Sequence, residues 1–281
     1  MTHGEPLPEQ HASSVDVVEY RGGEVVRRSD RLVGEEPLEI RAAGPRQEPV
    51  AVAVTMRTPG HEDELAVGFL VTEGLIDPAD VATVEHGDPA TLARPDDTVV
   101  VRLSRPFDAS RVAERHFVAT ASCGICGKAT LDEVALRTEP LAAGPTVDPD
   151  VLLALPGQLR SAQAVFERTG GLHAAGLFDC DGELLALRED VGRHNALDKL
   201  IGAEALAGRL PLSDRIILLS GRIGFELVQK AAVAGAPVLC AVSAPSDLAV
   251  EAGSRLGMTL VGFLRGDRFN VYTGSERIAL A

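Results

Sequence analysis

Between residues 172 and 264 the chain alternates short apolar runs with segments of helical length, and few folds accept that rhythm. Residues 172–178, 183–188, 215–219, 238–242 and 259–264 read as strands, and 195–206, 225–234 and 246–256 as helices, with a further helix over 151–166. Asp179-Cys180-Asp181-Gly182 carries the Asp-Gly signature of a tight hairpin turn. Strands alternating with helices imply a parallel or mixed sheet covered by helices on both faces. Ligands of such sheets gather in the loops at strand ends. Two polar, glycine-marked loops fall there: Ser220-Gly221-Arg222 and Arg265-Gly266-Asp267-Arg268.

The first part of the chain has a different pattern. Runs at 15–19 and 25–28 flank Arg21-Gly22-Gly23-Glu24, a hairpin signal, and 36–41, 50–56 and 98–103 are further strand candidates. Thr58-Pro59-Gly60 breaks the chain before a helix over 62–73. Glu62, Asp63 and Glu64 fall in that helix's first turn, where the dipole favours acids. Its middle is apolar nearly all round, which predicts burial. The expected organisation is an α/β protein: a loose tail at 1–14, a small α+β domain at 15–118, and a larger mixed-sheet domain at 119–281.

The 281 residues suffice to bury a core without disulfide or metal staples. No apolar run approaches the roughly 20 residues of a membrane span, and the polar start has no apolar signal core. A cytoplasmic protein without membrane attachment is expected. The net charge of −14 argues against non-specific nucleic-acid binding, which needs a basic surface. Lys128, Lys199 and Lys230 are the only lysines among 27 basic residues, so converging arginines are candidates for bidentate anion binding.

Four cysteines occur, and Cys123-Gly124-Ile125-Cys126-Gly127-Lys128 holds two of them. The glycines let backbone amides point at sulfur, and residues 129–136 can be helical. Amides at a helix start, together with Lys128, favour the thiolate, the reactive form. A thiolate accepts sulfur as a persulfide, and a second thiol can resolve or share it. A structural zinc site normally takes four ligands from two such knuckles, and the chain has no second pair, so no bound zinc is expected. A thioredoxin-like redox centre would place the motif after the first strand of a βαβ unit, whereas here it lies between two regions. Cys180 reads as a turn residue and Cys240 as a buried strand residue.

Further polar groups form a candidate pocket. His173 follows Gly170-Gly171-Leu172 and reads as either a core histidine or a site residue. Arg188-Glu189-Asp190-Val191-Gly192-Arg193-His194-Asn195-Ala196-Leu197-Asp198-Lys199 packs charge, glycine and imidazole into a strand-to-helix transition. Asp190 or Asn195 there is a candidate helix cap. With Ser220 and Arg222, these segments nominate His173, Arg193, His194, Ser220 and Arg222. Glu226 and Lys230 stand four apart, the spacing of a helix ion pair.

At these residues the sequence resembles the formate dehydrogenase accessory sulfurtransferases, the FdhD family. The matching pieces are the Cys123–Gly127 motif, Gly170–His173, Arg188–Asn195, Ser220–Arg222, Ser243-Ala244-Pro245 and Gly262-Phe263-Leu264-Arg265-Gly266-Asp267-Arg268-Phe269-Asn270-Val271-Tyr272, in order over most of 50–275. The resemblance implies a sulfur carrier that takes sulfur from a cysteine desulfurase. It would pass this to the molybdenum cofactor, in its bis-molybdopterin guanine dinucleotide form, before insertion into formate dehydrogenase apoenzyme. It implies a persulfide on Cys123, with Cys126 auxiliary. It also implies a nucleotide-cofactor site on Phe263, Leu264, Arg265, Gly266, Asp267 and Arg268, with guanosine diphosphate as a mimic. Asp267 reads equally as a guanine acceptor and as a turn residue. The implied fold of the second domain is three-layered and resembles cytidine deaminase. Deaminases need a His or Cys ligand plus Pro-Cys-x-x-Cys, and this chain has Ser220-Gly221-Arg222 at the corresponding turn, so deaminase chemistry is not expected. A second reading is a non-catalytic cofactor-binding chaperone with accessory cysteines. A homodimer is left open.

Overall fold

A computed structural model describes residues 12–87, 97–113, 139–141, 144–163, 166 and 169–280. Strands β1 (Ala12–Arg21) and β2 (Glu24–Val33) pair antiparallel around Gly22-Gly23, both at positive φ. Glycine takes that conformation without a Cβ clash, so the pair sets the turn. The hairpin is longer than the sequence pattern predicts. β1 begins at Ala12, inside the stretch expected to be tail, because Ala12, Ser13 and Ser14 find partners in Val33, Leu32 and Arg31.

Strands β3 (Glu36–Ala43), β4 (Val50–Arg57), β5 (Val81–His86) and β6 (Thr98–Leu103) form a four-stranded sheet in the order β4-β3-β6-β5. β3 and β6 are parallel and the other pairs antiparallel. Alternate residues Leu38, Ile40 and Ala42 of β3 and Val99, Val101 and Leu103 of β6 enter one core. Helix α1 (Glu62–Thr72) covers that core, and every residue from Leu65 to Thr72 is buried. This matches its all-round apolar sequence. β5 was not legible as a strand: its apolar and polar residues are mixed, and as an edge strand it buries none of them. A short helix, α2 (Ser110–Ala113), follows.

Helix α3 (Pro149–Ala162) begins with Asp148, whose carboxylate accepts the Asp150 N–H at 2.8 Å, and Pro149 in the first turn. The remaining strands are β7 (His173–Phe178), β8 (Leu184–Asp190), β9 (Ile216–Leu219), β10 (Val238–Ala241), β11 (Thr259–Arg265) and β12 (Arg268–Thr273). They form one mixed sheet ordered β12-β11-β10-β9-β7-β8. β9, β10 and β11 are parallel, while β7 and β12 run antiparallel to their neighbours. Helices α4 (Arg193–Leu206), α5 (Phe225–Val233) and α6 (Asp247–Arg255) cover one face. α3 covers the other through Leu152, Leu155 and Leu159. Side-chain alternation divides β9 between these layers: Ile217 and Leu219 face α4 and α5, Ile216 and Leu218 face α3. The expected helix-covered mixed sheet is therefore present. β12 had not been read as a strand, because the polar turn before it suggested a loop. The expected boundary between residues 118 and 119 lies outside the described residues. Among the described residues no helix is long and apolar enough to cross a membrane.

The two sheets are coupled through α1 and α4. The helices cross so closely that a methyl on Gly68 would enter the Asp198 carbonyl, and one on Gly202 the Glu64 carbonyl. Beside the crossing, Lys230 of α5 is buried and donates to Asp198 at 3.0 Å, Glu73 at 2.9 Å and Thr72 Oγ1 at 2.9 Å. Arg188 of β8 forms a two-pronged bond to Glu64, one prong at 2.7 Å. Burial pushes the Glu64 carboxyl up, but hydrogen bonds from Arg188 and His61 outweigh it and hold the group at about 2.

Two outcomes follow from this junction. Gly202→Val should lose about 1–3 kcal/mol, the usual cost of overpacking, read as a lower urea midpoint with an unchanged slope. Glu64 titrates lower folded than unfolded, so its contribution is complete above its ordinary value of 4.5 and is lost as pH falls toward about 2. The urea midpoint of Glu64→Gln should therefore vary less with pH across that window than that of the parent protein.

Candidate functional site

Because β9, β10 and β11 are parallel, the loops that follow them emerge on one edge of the sheet. β7 runs the opposite way, so its first residue, His173, joins the same edge, with Asp190 paired to it from the end of β8. The post-strand loops are stitched side by side. The Ile223 N–H donates to Ala244 O at 3.1 Å, Ser246 N–H to Ile223 O at 2.9 Å, and Phe263 N–H to Ser243 O at 3.0 Å. This is the edge where open α/β sheets bind ligands.

The five nominated pocket residues meet here. Ser220 closes a two-way bond with Ala174: its amide donates to Ala174 O at 3.0 Å, and its Oγ accepts the Ala174 N–H at 2.8 Å. The loop then crosses the His173 ring, and a Cβ on Gly221 would stand 3.2 Å from Nδ1. Burial lowers the His173 pKa first, then the positive charge of Arg193, His194 and Arg222, against a smaller opposing pull from Asp190. The setting of His173 thus disfavours its charged form. His194 Nε2 lies 2.9 Å from Glu226, and that hydrogen bond is the main cause of the lowered Glu226 pKa. Glu226 and Lys230 do not form the helix pair that their spacing suggests. Lys230 turns inward to Asp198 and Glu73, and Glu226 serves His194.

Other residues of the same motif are structural. Asp190 and Lys199 are fully buried and paired at 2.7 Å. Asp190 also accepts from Thr58 N–H at 3.1 Å, Gly192 N–H at 2.8 Å and Asn195 Nδ2 at 3.1 Å. The cap of α4 is Gly192, rather than Asp190 or Asn195 acting as a side-chain cap. Sequence reasoning included Lys199 in the motif without its pairing to Asp190, and it missed Thr58. Lys199 stands nine residues from Asp190 on the next element, and Thr58 lies just past β4, 132 residues from Asp190 in sequence. The only available signal was a lysine in an otherwise arginine-rich chain.

The nominated cofactor segment closes the β11–β12 hairpin two strands away from β9, about 10 Å at ordinary strand spacing. Arg265 and Arg268 are paired across the turn, and Gly266 at φ 62° makes it. Arg265, Gly266, Asp267 and Arg268 are exposed. Phe263 is held at φ 52°, with the Arg265 guanidinium 5.7 Å from its ring centre. The Leu264 side chain lies in the core under α3, so only its backbone faces the rim.

Cys123 and Cys126 lie outside the described residues. Cys240 is fully buried in β10, and burial pushes its thiol far up. Cys180 sits in the β7–β8 turn and donates to Asp214 O at 3.2 Å; burial and then Asp214 push its thiol up as well. Both favour the unreactive thiol.

Comparison with known proteins agrees with this architecture. A protein from Streptomyces avermitilis named sulfur carrier protein FdhD is 50% identical over 271 residues, covering 94% of each chain. One of the same name from Sulfurisphaera tokodaii is 43% identical over 265 residues, covering 94% of this chain and 98% of its own. The crystal structure of a protein described as a formate dehydrogenase accessory protein, from Desulfotalea psychrophila, superposes with a TM-score of 0.73. It is 24% identical and covers 95% of this chain and 99% of its own, a likeness of fold. The model of the FdhD/NarQ family matches residues 33–279, and the chain belongs to that family.

Proposed function

We propose that this protein carries sulfur on Cys123. The reading rests on its 50% identity, across nearly the whole chain, to a protein named as a sulfur carrier. The chemistry of the remaining cysteines supports it, since Cys180 and Cys240 are both held as thiols. In the proposed step the Cys123 thiolate attacks the terminal sulfur of a cysteine desulfurase persulfide. A new S–S bond forms, the old one breaks, and the desulfurase thiolate leaves. Attack of the Cys126 thiolate on the Cys123 sulfur would then break the persulfide bond, form a Cys123–Cys126 disulfide and release the outer sulfur at the sulfide level to the molybdenum cofactor in its bis-molybdopterin guanine dinucleotide form, before that cofactor enters formate dehydrogenase apoenzyme. Cys126 serves as the auxiliary thiol, and no zinc is held. The turn Arg265–Arg268 takes the guanine-nucleotide part of the cargo, through guanidinium groups that bind phosphate as a fork.

Mass spectrometry after incubation with desulfurase and cysteine tests the first half. The wild-type chain should gain the mass of one sulfur, and Cys123→Ala should not, while remaining folded. An unmodified wild-type chain that still binds the cofactor would instead identify a chaperone. Calorimetric titration tests the second half. Guanosine diphosphate should bind, and Arg268→Ala should weaken it by about 1.5–3 kcal/mol, the scale of a charge-assisted hydrogen bond. Unchanged affinity in both Arg265→Ala and Arg268→Ala would remove the turn from the site.

A further inference from the structure

We propose that the β1–β2 hairpin is a docking arm whose partner is an acidic, partly apolar surface on the apoenzyme that receives the cargo. The arm's shape and charge stand by themselves; only the identity of its occupant rests on the proposed function.

A two-stranded hairpin alone in water is marginally stable and needs a covering layer. This one pairs ten residues with ten in an unbroken register, and among the described residues it carries no third strand. Directly opposite residues share a face, and the faces alternate along each strand. The pairs Tyr20–Val25, Val18–Arg27 and Ser14–Arg31 therefore lie on one face, and Glu19, Arg28 and Asp30 on the other. The second face satisfies its own charge, since Arg28 donates to Glu19 at 2.8 Å and to Asp30 at 3.0 Å. The first face does not. Tyr20, Val25 and Val18 are 75%, 68% and 61% exposed and adjoin one another. Beside them Arg27 and Arg31 have no carboxylate within ion-pair distance among the described residues. An exposed tyrosine and arginines around an aliphatic centre are the composition of a protein–protein interface. Unpaired guanidiniums there call for carboxylates on the other side.

A symmetric contact with a second copy would set this face against itself. Arg27 and Arg31 would then meet their own copies, with Asp16 as the one acid of that face to answer them. A foreign acidic surface matches the face better. The arm's place selects which partner that is. Its last residue, Val33, packs on Gly171, where a Cβ would stand 3.3 Å from Val33 Cγ1. Gly171 lies just before His173, the first residue of β7 on the site edge. A protein seated on the arm thus stands beside the edge from which the cargo leaves, the position of a recipient.

The test measures binding of purified formate dehydrogenase apoenzyme to the full chain and, in parallel, sulfur loading of the chain by a cysteine desulfurase. It compares the wild type with Tyr20→Ser, with the double variant Arg27→Glu and Arg31→Glu, and with Arg28→Gln as a control on the self-paired face. The apoenzyme should bind the wild type and Arg28→Gln alike. It should bind each patch variant at least about tenfold more weakly, the effect of losing a hot-spot side chain. Binding to the wild type should weaken as salt is raised, and sulfur loading should be the same in every variant. Equal binding to the wild type and both patch variants overturns the proposal. So does a wild type that loads sulfur but does not bind the apoenzyme at micromolar concentration. A wild-type dimer that both patch variants turn into monomers overturns it in favour of a second copy, and loss of sulfur loading with apoenzyme binding intact overturns it in favour of the donor. A wild type that takes up no sulfur counts against the carrier reading, while the arm still stands or falls on the binding comparison.

Discussion

Asp190 and Lys199 are removed from water, and an ion pair in that position must satisfy each remaining polar valence or cost the fold several kcal/mol. The structure meets this demand by drawing three segments together. Asp190 ends β8 and takes the amide of Thr58, just past β4, and the amide of Gly192, which starts α4. Lys199, about two helical turns further on, returns to the Thr58 carbonyl at 2.8 Å. Asn195 reaches both Asp190 and the Met56 carbonyl at 2.7 Å. The end of the first sheet, the last strand of the second and the start of α4 thus share one buried polar knot. Arg193 and His194 lie inside that loop of bonds, so the rim residues owe their placement to it.

The second polar knot, around Lys230, works one layer deeper. It joins α1, α4 and α5 at the point where Gly68 and Gly202 let two backbones touch. An all-apolar helix such as α1 has no solvent face to offer, so it must be enclosed on both sides. The four-stranded sheet encloses one side and α4 the other. Apolar burial gives this junction its strength without direction, whereas the lysine bonds have geometry and fix the rotation of α1 against α4.

Much of this was legible from residue patterns. The strand–helix rhythm after residue 172 named the mixed sheet, and the apolar α1 announced its own burial. The helix expected over 246–256 is α6, with Ser246 as its cap accepting the Ala249 N–H at 3.2 Å. The pocket residues were identifiable because five of them crowd into three short polar loops. What escaped was long-range or weakly patterned. β5 and β12 are edge strands whose mixed composition resembles a loop. Thr58 and Asp190 are 132 residues apart, and no local periodicity relates them. The close crossing at Gly68 and Gly202 depends on backbone approach, which glycine permits but does not signal. The most specific motif, Cys123 to Lys128, lies outside the described residues, so its reading rests on chemistry and kinship rather than geometry.

An anion site on a chain with net charge −14 looks contradictory until charge is counted locally. Solvent-exposed charges farther away than about 8 Å are largely screened at physiological ionic strength, so the distant acids contribute little to the field at the rim. Several acids close to the rim are engaged: Glu64 with Arg188, Asp190 with Lys199, and Glu226 in a hydrogen bond with His194. The knot that builds the fold therefore also silences the acids beside the pocket. At the β11–β12 turn Arg265 and Arg268 stand opposite one another and are both exposed. Structure and site are thus one arrangement, in which internal partners hold Asp190 and Glu64 while the arginines of the turn stay exposed to a ligand.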